Sequence, residues 1–192
     1  MTDELAIRYE IVGKRVALGS VRRDLYPLHV AWLNDPEVAW NVFGAPVQRS
    51  FEEERDWIEA FVADRGSRLW LIYRIDEQRP IGLAALTAID VEPGTATFRT
   101  LIGEAHDRGR GFGREASELV LRHAFEDLGL HEIRLDVFGY NTAGIRLYGR
   151  LGFHEVERRP MQLERDGRRW DVIRMAKSID DPVDAGPSAD GR

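Results

Sequence analysis

The chain contains no cysteine. Disulfides, zinc thiolates and a thiol nucleophile are thereby excluded. No run of about 18 uninterrupted apolar residues occurs either, so no segment reads as a membrane-spanning helix. The opening Met1-Thr2-Asp3-Glu4 lacks a basic stretch followed by an apolar one, and the expected location is the cytoplasm. An excess of positive charge is also missing: 27 Lys and Arg stand against 33 Asp and Glu, a net charge of -6. Nucleic acid needs a basic surface, so it is not an expected partner, and neither is a membrane. An acidic balance suits cationic small molecules or peptides, and is equally the ordinary solubility state of a cytoplasmic protein.

What is present suffices for one core. With 192 residues and 43% hydrophobic content, one globular domain is expected over 1–177. Residues 178–192 turn to Asp, Pro, Gly, Ser and Ala without periodicity and read as a disordered tail.

Periodicity divides the domain into alternating strands and helices. Ile7 to Val21 alternate around Gly13-Lys14 as a hairpin, and Asp24 is placed to cap a helix whose apolar stripe includes His29 and Trp32. The apolar residues between Glu37 and Gln48 show no clear period. Ser50 and Glu53 form a capping box for a helix carrying Trp57, Ile58 and Phe61. Glu52, Glu53 and Glu54 sit in its first turn, where negative charge favours a helix N-terminus. Leu69–Ile75, Pro80–Val91 and Thr95–Gly103 then read as three adjacent strands of an antiparallel meander. A helix follows over Glu115–Leu128, ended by Gly129, then a strand over Glu132–Phe138. Asn141 caps the next helix, Thr142–Leu151, and Asp166-Gly167 turns a closing hairpin.

Between the third meander strand and its helix lies Ala105-His106-Asp107-Arg108-Gly109-Arg110-Gly111-Phe112-Gly113-Arg114. Glycines let a ligand approach the backbone, the helix start offers unpaired N–H groups and partial positive charge, and arginines add bidentate donors. A phosphate or pyrophosphate is the natural guest. A Walker-type loop is excluded because no lysine and hydroxyl residue follow Gly113, and a dinucleotide fingerprint fails because Arg114 occupies its third glycine position.

What the turn does match is Arg108-x-x-Gly111-x-Gly113. Further on stands Asn141-Thr142-Ala143-Gly144-Ile145-Arg146-Leu147-Tyr148-Gly149-Arg150-Leu151-Gly152-Phe153. Together, in this order, the two segments resemble the GNAT superfamily of acyl-CoA-dependent N-acyltransferases, over about Ile7 to Ala176. Arg158, Gly167, Asp171 and Met175 echo the RimJ/RimL type, which acetylates protein N-termini and has relatives acting on polyamines, aminoglycosides and other small amines. The resemblance implies a mixed α/β (α+β) fold: a mostly antiparallel, splayed central sheet with helices on both faces. It implies acetyl-CoA as cosubstrate, no metal, an amine acceptor that is a small molecule or a peptide N-terminus, and a monomer or homodimer. A CoA-binding regulatory module without turnover is the alternative of another class.

The same resemblance assigns roles. Leu101, Ile102 and Gly103 would flank the pantetheine arm, with a backbone N–H near Ile102 holding the thioester oxygen. Main-chain N–H groups of Gly109, Arg110, Gly111, Phe112 and Gly113 would receive the pyrophosphate, and Arg108, Arg110 or Arg114 would add charge. Asn141 would bond the pantetheine amide, and Tyr148 would protonate the leaving thiolate. Asp136 and Glu104 are the two candidate bases, with His106 beside them.

Overall fold

The computed structural model describes residues 7–181. A hairpin of β1 (Tyr9–Val12) and β2 (Val16–Ser20) leads into α1 (Tyr26–Asn34), α2 (Pro36–Phe43) and α3 (Phe51–Ala63). The meander β3 (Arg68–Arg74), β4 (Arg79–Asp90) and β5 (Thr95–Ile102) comes next. Then α4 (Phe112–Arg122), prolonged by a π-helical turn His123–Asp127, precedes β6 (Glu132–Phe138), α5 (Thr142–Arg150) and the hairpin of β7 (His154–Arg165) and β8 (Arg168–Ser178). All eight strands join one sheet, ordered β1-β2-β3-β4-β5-β6-β8-β7. Only β5 and β6 pair in parallel, and the rest of the ladder is antiparallel.

Period-two alternation sends successive side chains of each strand to opposite faces. Trp70 and Ile72 of β3 enter the larger core with Phe98 and with Ala116, Leu119 and Val120 of α4. Their neighbours Leu71 and Tyr73 meet Trp32 of α1 and Leu83 on the other face. Helices α4 and α5 therefore cover one side, and α1, carrying α2 and α3, covers the other. The expected mixed fold with helices on both faces is the observed one.

Local chemistry sets the boundaries. Asp24 does not cap α1, because its carboxylate accepts from Arg22 Nε and Nη2 (3.0 and 2.7 Å), and a 3-10 turn delays the helix to Tyr26. The segment without a clear period is α2, capped by Asp35 and ended by left-handed Gly44. The capping box is made, with Ser50 Oγ accepting from the Glu53 N–H (3.2 Å) and the Glu53 carboxylate from the Ser50 N–H (2.8 Å). At the C-terminal end Ser178 closes β8 and its N–H donates to Asp181 (2.7 Å), so order reaches past the expected boundary at 177. The remainder of the expected tail, 182–192, lies outside the described residues.

His29 is fully buried on α1 and stacked on Trp32 at 5.8 Å. Burial lowers its pKa to about 4. The native state keeps the ring neutral while the unfolded chain takes up a proton below about pH 6.5, so stability is complete above that pH and falls as pH drops toward 4. Replacing His29 with Leu is expected to flatten the stability profile across this window, removing about 3 kcal/mol of pH dependence. Urea midpoints measured at pH 7 and pH 4.5 check it, and an unchanged difference between them would refute the assignment.

Candidate active site

Strands β5 and β6 pair only at Thr95–Glu132, Ala96–Ile133 and Thr97–Arg134. Beyond these pairs β5 stays with β4, β6 stays with β8, and the two diverge. Because Gly103 N–H donates to Ile81 O (2.9 Å) in a regular antiparallel register, the N–H groups of Phe98, Thr100 and Ile102 face the gap. Tyr148 of α5 borders this gap, its ring edge-on to Phe98 and Phe153 at 6.5 and 5.9 Å. Burial pushes its hydroxyl up to about 12, so it stays protonated at physiological pH. From Tyr148 a cavity of about 460 Å³ runs under the opposite face of the sheet, bordered by Leu101, Arg99, Asp136 and Phe138, and by Phe43, Glu54, Trp57 and Phe61 from the helices.

The second half of the site is the start of α4. Gly109 and Gly111 adopt φ of 72° and 86°, and Gly111 stands at the N-cap with no side chain capping the helix. The first N–H groups of α4 therefore lack intrahelical partners and point outward, at the positive end of the helix dipole. Beneath them Asp107 is fully buried, with Arg74 Nη1 at 3.2 Å, Arg79 Nη2 at 2.8 Å and Arg110 Nη1 at 3.7 Å. Guanidiniums of Arg15, Arg74 and Arg110 lie 4.8, 5.2 and 5.5 Å from the Phe112 ring centroid. A turn of free backbone donors at a helix N-terminus thus rests on a network of arginines paired with Asp76, Glu77, Asp107 and Glu115, and the backbone donors suit an elongated anion.

Residues 15–154 match the family model of an acetyltransferase (GNAT) domain. The chain belongs to the GNAT acetyltransferases. It is similar to a spermidine N(1)-acetyltransferase of Vibrio cholerae serotype O1, 32% identical over 127 residues, covering 66% of this chain and 72% of that protein. A prophage-derived N-acetyltransferase of Bacillus subtilis is 27% identical over 119 residues, 62% of this chain and 66% of that one. Among solved structures, a V. cholerae spermidine N-acetyltransferase in complex with CoA and spermine superimposes with a TM-score of 0.78 at 25% identity, over 86% of this chain and 96% of that chain.

Within this GNAT domain the sequence-derived residues separate. Leu101 borders the cavity, and Ile102 turns to the larger core with its N–H toward the gap. Gly103 needs to be glycine for a reason other than splaying: a Cβ there would sit 2.2 Å from the Trp32 ring. Gly113 brings α4 against β5, its would-be Cβ 3.4 Å from Ile102. Arg108 is not free for phosphate, because its Nε and Nη2 donate to the carbonyls of Ile102 (3.0 Å) and Gly103 (2.7 Å) and its Nη1 to Glu37 (2.7 Å). It locks the strand end to α2. Arg114 pairs with Glu118 at 2.8 Å on the helix surface, so of the three expected arginines Arg110 stays beside the turn, joined there by Arg15, whose Nη1 donates to the Arg110 carbonyl (3.1 Å). Asn141 Oδ1 accepts from Gly144 N–H (2.8 Å), a capping bond.

The two candidate bases lie in different surroundings. Asp136 borders the cavity, but burial, which would raise its pKa, is outweighed by Arg174 and Arg159, whose bonds of 2.7 to 3.2 Å hold it below the ordinary carboxylate range. Such a carboxylate is a weak base. Glu104 is anchored by the Trp32 indole N–H at 2.9 Å and does not border the cavity, and His106 lies beside it and Arg79 rather than at the gap. The sequence reading missed Glu54. Its side chain is wholly buried, Oε2 takes Arg49 Nε at 3.1 Å, and Oε1 is buried without a hydrogen-bond partner. Burial raises its pKa. The signal was available, since Glu54, Ile58 and Phe61 share one helical stripe at four- and three-residue spacing.

Proposed function

We propose that this chain transfers the acetyl group of acetyl-CoA directly to the primary amine of a small molecule. The observation that carries the reading is the splay: the cavity is bordered by β5, by β6 and by Tyr148 where the two strands part, and the open α4 turn follows directly on β5. Gly109 to Gly113 would hold the pyrophosphate, and the strand N–H groups facing the gap would receive the thioester oxygen. When bound, acetyl-CoA supplies an acetyl group on a good leaving group. The Tyr148 O–H is the proton donor to the departing sulfur, and no covalent enzyme intermediate is required.

A small acceptor is favoured over a protein N-terminus. The spermidine acetyltransferase relative supports it, as does a cavity roofed by α2 and α3. The residues that echo the RimJ/RimL type have a structural use: Arg158 joins Glu155 to Asp171, and Asp171 accepts from the Met161 N–H (3.1 Å) where the hairpin bulges. They do not face the acceptor cavity.

Purified protein is expected to release CoA thiol from acetyl-CoA when an acceptable amine is added. Acetyl-CoA at a hundredfold excess over its Kd is expected to stabilise the protein by about 2.7 kcal/mol. Gly111→Val should abolish that thermal shift, because a β-branched residue at φ 86° is strained and its side chain would stand where the anion docks. A full shift retained by the variant would refute the cofactor site.

A further inference from the structure

Five charged side chains border the acceptor cavity, Arg49, Glu54, Arg99, Asp136 and Arg159, so three guanidiniums face two carboxylates. Their partners show which of them are available. Both oxygens of Asp136 are taken by Arg159 and Arg174. Arg49 is fixed by Glu54, and its backbone is held at both ends by the Asn34 amide (2.7 and 2.9 Å). Arg159 keeps its Nε without a hydrogen-bond partner but is ion-paired to Asp136 through Nη2. Two groups have no ionic partner left: Glu54 Oε1 is buried and unpartnered, and the exposed side chain of Arg99, on the same face of β5 as Thr97 and Leu101, has no ion pair or hydrogen bond among the described residues. The rest of the wall includes Phe43, Trp57, Phe61, Leu83 and Phe138.

A polyamine brings several positive charges and no negative one. It would leave Arg99 unmatched and place like charge among three guanidiniums. Resting on the acetyl-transfer reading, we propose that the acceptor is an amine that also carries one carboxylate. Its amino group meets Glu54 Oε1, its carboxylate pairs with Arg99, and an apolar body lies along the aromatic wall. One unpaired guanidinium matches one negative charge, and the planar fork suits a carboxylate bidentately. Burial raises the Glu54 pKa against the pull of Arg49, and its unpartnered Oε1 is placed to accept the proton that the amine loses.

The test compares CoA release with α-, β- and γ-amino acids bearing aliphatic or aromatic bodies, the same amines lacking the carboxylate, and spermidine. Wild type is expected to show kcat/KM at least about tenfold higher for the carboxylate-bearing member of each pair. Arg99→Gln should erase that preference by slowing the amino acids alone, Arg99→Glu should reverse it toward spermidine, and Glu54→Gln should slow both series, each variant keeping its fold by circular dichroism. Preference of wild type for the decarboxylated amines or spermidine, or an equal effect of Arg99→Gln on both series, overturns this inference while leaving acetyl transfer standing. If no amine of any kind releases CoA although acetyl-CoA still stabilises the protein, acetyl transfer falls and the inference with it.

Discussion

Tyr148→Phe is expected to lower kcat by about 10²–10⁴-fold, the usual contribution of a positioned proton donor, with acetyl-CoA affinity unchanged. The phenol O–H has no hydrogen-bond partner among the described residues, so its removal should leave stability within about 0.5 kcal/mol. The ring still fills its place against Phe98 and Phe153. Because burial holds the hydroxyl at about 12, the pH–rate profile should show no tyrosine ionisation below about pH 10. Steady-state rates of wild type and variant decide it. Equal kcat would leave Tyr148 as a packed aromatic and remove it as the proton donor.

The second large effect concerns Asp107. Its carboxylate is fully buried under the glycine turn, within 4 Å of Arg74, Arg79 and Arg110. Removing the one buried carboxylate leaves Arg74 and Arg79 only the more exposed Asp76 and Glu77 as acidic partners, and Asp107→Ala is expected to cost about 3 kcal/mol or more. At about 2–4 °C per kcal/mol for a chain of this size, Tm should fall by about 10 °C. Asp107→Asn should recover less than half of the loss, since it restores shape and hydrogen bonding without the charge. Calorimetry of the three proteins measures this, and a fall of under about 1 kcal/mol for the alanine variant would show that the arginines find other partners.

Asp107 also illustrates what could be read from sequence. The glycine turn, the Asn141 cap and the two motifs were legible because their chemistry is local: a positive φ, an N-cap oxygen or a close backbone approach is set by a few adjacent residues. The elements and the β3-β4-β5 meander followed from periodicity, and the cover of helices on both faces from the resemblance. Asp107, Arg108 and Asp136 were misread or passed over because their roles depend on partners far along the chain, namely Arg74 and Arg79, Glu37, and Arg159 and Arg174. Charge type does not reveal whether a side chain is free or already spent on a neighbour. Gly103 is the subtler case, since it was expected only to flank the pantetheine arm, whereas its lack of a side chain makes room for Trp32.

The three residue pairs joining β5 to β6 have a mechanical side as well. Among the described residues they are the only ladder between the sheet half formed by β1 to β5 and the half formed by β6, β8 and β7. The cleft between them is therefore a seam between two blocks of backbone, fastened at one end and open at the other. A molecule seated in the open end would touch both blocks and act as a removable rivet, lending the sheet a cooperativity that its own hydrogen bonds do not supply there.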